Sequence, residues 1–304
     1  MVEHEQISNQ TPLFSIIIAV YNDWAMLQGC LQSLARQTDG SSFEVIVVDD
    51  GSTDPAPEFV RNSSFSYPLA AIPQPHSGIP AARNTGIRTS RGAVLLFVDA
   101  DSRLQAGCLA ALGSTIANAP QHNCFQLRLV GNCSSLVGRA EELRLITFQQ
   151  YMLQPDGRIR YLNTAGFAIR RPRANIDTGI FDPTALRAED TLLLADLMQA
   201  GELPLFVPDA IVEHYIPLSL IGCFRKDLRS AYLEGRTNSI IASKGVKIRL
   251  THPERLQLLI SLWKTARKPS IGISAWFALV ARQAFQRMIS LGCQCLGLVS
   301  TTGM

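Results

Sequence analysis

A chain of 304 residues with 47% hydrophobic and 17% charged residues can bury one large core, which excludes a disordered polyelectrolyte and a small disulfide-built scaffold. Its net charge of +3 hides a division: residues 1–220 hold 15 Arg, no Lys and 22 acids, whereas residues 221–304 hold 13 Lys and Arg against 3 acids. Seven cysteines without zinc spacing, and an opening Met-Val-Glu-His-Glu without the basic and apolar parts of a signal peptide, argue against secretion and make the cytoplasm the expected compartment.

Residues 14–20 (FSIIIAV) are near-continuously apolar, as a strand buried on both faces requires. Residues 24–37 place Met26, Leu27, Cys30, Leu31 and Leu34 at helical spacing, and 43–48 repeats the strand pattern, so this opening reads as a βαβ unit. A third buried strand is expected at 93–98, after a helical segment around 83–91. The pattern is helical from 104 to 119, and 125–137 reads as one or two strands of undetermined direction. Residues 190–200 (DTLLLADLMQA) put Leu193, Leu194, Leu197 and Met198 on one helical face and stop before Gly201, which suits a helix C-terminus. Beyond Pro217 two or three helices are expected, the clearest at 256–263 and 275–291. The most apolar stretch, 271–299, is interrupted by Arg282, Gln283, Gln286 and Arg287, which share a stripe with Ser290 and Gln294; it reads as amphipathic rather than membrane-spanning. The expected class is α/β, with a mostly parallel sheet over residues 12–217 and a basic helical region over 218–304.

Two of these strands end in carboxylates. Val48-Asp49-Asp50-Gly51-Ser52-Thr53-Asp54 closes the second, where the C-terminal edge of a parallel sheet commonly binds ligands and a carboxylate can accept a base N–H or a ribose hydroxyl. The same letters also make an ordinary turn. Val98-Asp99-Ala100-Asp101 closes the third, and two carboxylates at this spacing can turn toward one hard cation such as Mg²⁺ or Mn²⁺, with Asp101 the preferred direct ligand. Between them, Arg83 in GIPAARNTGI can face a diphosphate with a bidentate guanidinium, or pair internally with Asp50 or Asp99. Glu189 and Asp190 stand at a helix start, where acids complement the dipole. In the catalytic reading Asp190 takes the proton of an acceptor hydroxyl and Glu189 helps to hold the acceptor or the helix start. His214 follows a further apolar run and becomes a metal ligand only if its strand end returns beside Asp101.

Taken in order, SIIIAVYN (15–22), EVIVVDDGSTD (44–54), GIPAARNTGI (78–87), VLLFVDAD (94–101), GIFDPTALRAED (179–190) and PDAIVEHY (208–215) resemble the family 2 glycosyltransferases. The resemblance implies a GT-A fold, a nucleotide-binding α/β domain with an Asp-x-Asp metal motif. Carried over by position, it makes Ala19, Tyr21 and Asp50 neighbours of the base and ribose, and Arg83 a neighbour of the base or diphosphate. It makes Asp99 and Asp101 the metal motif, His214 a further ligand, and Asp190 the base of an inverting displacement. Ala19 departs from the proline common in such chains. No Gln-x-x-Arg-Trp segment or pore helices of processive synthases occur, so transfer of a single sugar is expected, in polysaccharide, glycolipid or other cell-envelope glycan synthesis. The implied partners are a UDP-, GDP- or dTDP-sugar and a glycan or lipid-linked acceptor, with no nucleic acid. The basic C-terminal region suits the anionic cytoplasmic face of a membrane. A nucleotidyltransferase is disfavoured because Val20-Tyr21-Asn22-Asp23 stands where its glycine-rich basic loop belongs; a non-catalytic sugar-nucleotide binding module remains the other alternative.

Overall fold

The computed structural model describes residues 11–295 other than 39, 63, 132–134, 173–176, 178, 186, 216–221, 224–227, 229–239, 242 and 249. Its first half alternates β1 (Phe14–Val20), α1 (Trp24–Leu34), β2 (Phe43–Asp49), the short α2 (Glu58–Arg61), β3 (Leu69–Pro73), α3 (Ile79–Thr89) and β4 (Val94–Phe97). Then come β5 (Ser102–Leu104), α4 (Cys108–Asn118), β6 (Cys124–Gly131), α5 (Leu136–Met152), β7 (Phe167–Arg170), α6 (Glu189–Gln199) and β8 (Leu205–His214). Two helices close the described chain, α7 (His252–Ala266) and α8 (Ile273–Cys295).

The eight strands form one sheet in the order β3-β2-β1-β4-β7-β6-β8-β5. Strands β3, β2, β1 and β4 are mutually parallel, as is the pair β6 and β8; β7 runs antiparallel to both neighbours, and β5 runs antiparallel to β8. The continuous apolar runs have a direct cause. Successive side chains point to opposite faces, so Ile16, Ile18, Val45 and Val47 meet Leu27, Leu31 and Leu34 of α1 on one side. On the other, Ile17, Leu95 and Phe97 meet Ile87 of α3 and Leu193, Leu194 and Leu197 of α6. Helix α3 lies so close to β1 that a Cβ on Gly86 would fall 2.4 Å from Ile17 Cγ2.

Several elements differ from the sequence expectation. The stretch 125–137 holds one strand, β6, and then the start of α5, with 132–134 outside the described residues. Helix α5 carries no single apolar stripe because it is covered twice: Leu145 and Met152 join the main core, while Ala140 and Leu143 join Leu262, Ala266, Ala275 and Leu279 of α7 and α8. Its Gln149 amide pairs with the backbone N–H and C=O of Leu129, at 2.8 and 2.7 Å, in place of a neighbouring strand. Strands β3 and β7 are exposed or short, too weak a pattern to read.

At the C-terminal end α7 opens on a capping box between Thr251 and Glu254. On α8, Ala275 and Leu279 are buried and Arg282 reaches Glu141 of α5 at 3.5 Å, so part of the expected polar stripe faces inward; Gln283 and Arg287 stay exposed, and the side chains of Ser290 and Gln294 lie outside the described residues. Among the described residues no helix is long and apolar enough to cross a membrane.

Candidate active site

Asp99 and Asp101 lie in the turn between β4 and β5, and the short β5 decides what stands beside them. Its antiparallel register with β8 sets Ser102 opposite His214, and the Tyr215 N–H donates to the Asp101 carbonyl at 2.8 Å. His214 Nε2 consequently lies 3.3 Å from Asp101 Oδ1. One donor atom from each of Asp99, Asp101 and His214 falls within 4.8 Å of the others. The two carboxylates suit Mn²⁺ or Mg²⁺, both of which take carboxylate oxygen, and of the two the softer Mn²⁺ accepts the added imidazole more readily. Burial alone would push the His214 imidazole down, but Asp101, with Asp99 and Glu141 farther off, outweighs it and raises the pKa above its ordinary value.

Arg83 joins this acidic turn to α6. It is buried, its Nη2 donates to Asp99 Oδ1 at 2.8 Å and its Nη1 to Glu189 Oε1 at 2.7 Å, while its guanidinium lies over the Phe181 ring. The internal ion pair that the sequence allowed is formed, and its partner is Asp99. Burial works against the Arg83 charge, and the two carboxylates more than offset it. Helix α3 is fixed from the other side by Asn84, which bonds Phe181 N–H and C=O; Gly179, with φ +84, leaves room for it, since a Cβ there would lie 2.2 Å from the Asn84 side chain.

Asp50 is buried and bonded to the loop before α3. Its Oδ1 accepts from Ser77 N–H at 2.9 Å and from Gln74 Nε2 at 2.7 Å, its Oδ2 accepts from Gly78 N–H at 2.8 Å, and His76 Nδ1 lies 2.9 Å from Oδ2. The carboxylate thereby fixes the loop that leads into α3. Tyr21, 46% exposed, stacks on His76 at 4.3 Å between ring centroids and shows its ring to solvent at the strand edge. Ala19 packs half-buried among Ile46, Val48, Ile72 and Ala82. His76 carried no motif in the sequence; its place just before the Gly78 turn was the available signal.

At the start of α6, Ala188 takes the left-handed conformation, φ 58, without glycine's freedom. Glu189 and Asp190 follow in the first turn. Asp190 Oδ1 accepts from its neighbour Thr191 N–H at 2.6 Å, and burial together with the Glu189 charge pushes its pKa up to about 6. Glu141 of α5, legible in no motif, holds Arg144 in a charge-assisted pair; burial opposes its charge, and Arg144 and Arg282 bring its pKa down to about 2. A model of glycosyl transferase family 2 matches residues 15–178, more than half of the chain.

The chain belongs to glycosyl transferase family 2. It is 42% identical over 98 residues to "Glycosyltransferase AglE" of Haloferax volcanii, covering 31% of this chain and 32% of that protein. It is 38% identical over 95 residues to "Validoxylamine A glucosyltransferase" of Streptomyces hygroscopicus, covering 30% and 22%. The matched stretch spans about a third or less of the length of these curated relatives. In fold, this family 2 chain resembles a mannosyltransferase of Pyrobaculum calidifontis solved with GDP-Man and Mn²⁺, with TM-score 0.58, 19% identity, and 94% of this chain and 81% of that one covered. It also resembles S. aureus TarS 1-349 solved with UDP, with TM-score 0.55, 20% identity, and 93% and 91% covered. The GT-A architecture is therefore shared, with the mixed eight-stranded sheet described above.

Proposed function

We propose that this family 2 glycosyltransferase moves one sugar from a nucleotide-sugar donor to an acceptor hydroxyl with inversion, assisted by Mn²⁺ or Mg²⁺ at Asp99, Asp101 and His214. The observation that carries the reading is continuity: those three donors converge, and Arg83 ties Asp99 to Glu189, next to Asp190. In this reading Arg83 links the donor site to the helix start that carries the acceptor base. A divalent cation there would offset the negative charge that grows on the departing nucleoside diphosphate.

The remaining roles fall to the chain's own groups. The exposed Tyr21 ring, backed by His76, offers the base a stacking face, with Ala19 beneath the edge, and Asp50 acts by holding the 74–78 loop in place. Asp190, ionised above pH 6, takes the acceptor proton as the acceptor oxygen approaches the anomeric carbon. Glu189 keeps Arg83 and the first turn of α6 fixed. The acceptor fitting the basic C-terminal region is a glycan precursor of the cell envelope, carried on a lipid and reached from the cytoplasmic membrane face.

The test follows nucleoside diphosphate release from UDP-, GDP- and dTDP-sugars with Mn²⁺ or Mg²⁺, with Asp101→Ala as control. Metal-dependent release from one donor, lowered at least about 100-fold in the variant, is expected. Tight donor binding without release in the presence of diverse acceptors would favour a binding module. Release of pyrophosphate instead would favour a nucleotidyltransferase.

A further inference from the structure

The C-terminal helices present the opposite of what a soluble surface needs. On α7, Leu262, Thr265 and Ala266 are buried, whereas Leu256, Leu259, Ile260 and Trp263 are exposed, at 61%, 40%, 48% and 39%. Their spacing of three, four and seven residues makes one stripe. On α8, Ala275 and Leu279 are buried, whereas Ile273, Phe277 and Met288 are exposed at 44%, 60% and 65%, again with spacings that return to one face. Trp263 and Trp276 meet edge to face at 5.2 Å, and Trp276 meets Phe277 at 5.1 Å, so aromatic rings join the two stripes. A scattered exposed leucine needs no explanation, but two adjoining helices that both turn large apolar residues outward do.

Charge says what covers this face. Residues 244–304 hold nine Lys and Arg, of which Lys244 pairs with Asp196 and Arg282 with Glu141, and one acid, Glu254, which is paired with Arg160. Lys264, Arg267 and Lys268 are exposed where α7 ends, and Arg287 is exposed on α8 beside Met288. Large apolar residues flanked by exposed cations, with tryptophan between, match the chemistry of an anionic bilayer surface, where apolar side chains enter the acyl boundary and cations meet headgroups. A second copy of the chain would bring these like charges together. We infer that the outer face of α7 and α8 is a membrane-docking surface for anionic lipid. The surface is built by the apolar stripes, not by the polar stripe the sequence shows, because Arg282 is turned inward to Glu141.

The test is co-flotation of the full chain with phosphatidylcholine vesicles and with phosphatidylcholine–phosphatidylglycerol vesicles. Binding to the anionic vesicles alone is expected, weakening with salt. The double variant L256S/F277S should lower it by roughly tenfold or more through lost apolar insertion, and K264E/R267E by roughly fivefold per residue through lost headgroup attraction. Because all four side chains are exposed, thermal transitions should stay close to that of the parent. A parent chain that remains soluble beside anionic vesicles overturns the inference, as does undiminished flotation of L256S/F277S. So does light scattering that shows a lipid-free dimer which L256S/F277S dissociates, since the face would then bind a second copy.

Discussion

The Asp190 carboxylate stands beside Glu189 in a half-buried turn, and its pKa of about 6 follows from burial and that neighbouring charge. In its proposed role as base Asp190 must be ionised to act, so kcat/KM should rise through pH 6, and D190N should lose about 100-fold or more of kcat together with that acid limb. The same shift has a sign for stability. A carboxyl raised from 3.8 to about 6 on folding favours the folded state at low pH and loses that contribution as pH climbs through 6. D190N should therefore melt higher than the parent at pH 8, and the gap should close near pH 4. Next to it, Ala188 sits at φ 58, which costs an L-residue about 1 kcal/mol; Ala188→Gly should raise Tm by about 2 °C in a thermal melt. Motif reading reached Asp190, Glu189, Arg83, Asp99 and Asp101 because their letters and spacing are local. It could not name Glu189 as a second partner of Arg83, since that contact joins α3 to the start of α6 across 106 positions of chain.

Helix α5 is the element that least resembles its sequence. Its apolar residues face two partners, the sheet and the α7–α8 pair, so no single stripe marks it as a helix. Glu141 is the joint between α5 and α8, buried and shared by Arg144 and Arg282. Its carboxyl falls from 4.5 to about 2, so its contribution to stability is complete above pH 4.5 and is lost as pH drops toward 2. Glu141→Gln should cost about 3 kcal/mol at pH 7, because two cations are left around a neutral amide. Denaturant titration at pH 7 and pH 3 checks this, with a smaller difference expected at pH 3. The most legible strands, β1, β2 and β4, are buried on both faces. The exposed edge strand β3 and the three-residue β5 carry too few apolar residues to announce themselves.

For the whole molecule, the sheet order 3-2-1-4 of the first half follows from short parallel crossovers, and its apolar runs are visible as letters. The second half is different, since β7 enters antiparallel and β5 returns to β8 at the far edge. That return places His214 beside Asp101, 113 positions away in the chain. The charge division was countable from composition, yet which helical faces it decorates was not, because packing against α5 turns Arg282 inward and leaves Leu256, Trp263 and Phe277 outside. The sequence by itself determined the α/β class, the acidic strand ends and the membership in glycosyl transferase family 2, since these rest on local periodicity and ordered short motifs. Only the tertiary structure decided the His214 pairing, the Arg83 bridge and the outward apolar face, because each depends on which distant surfaces meet when the core is buried.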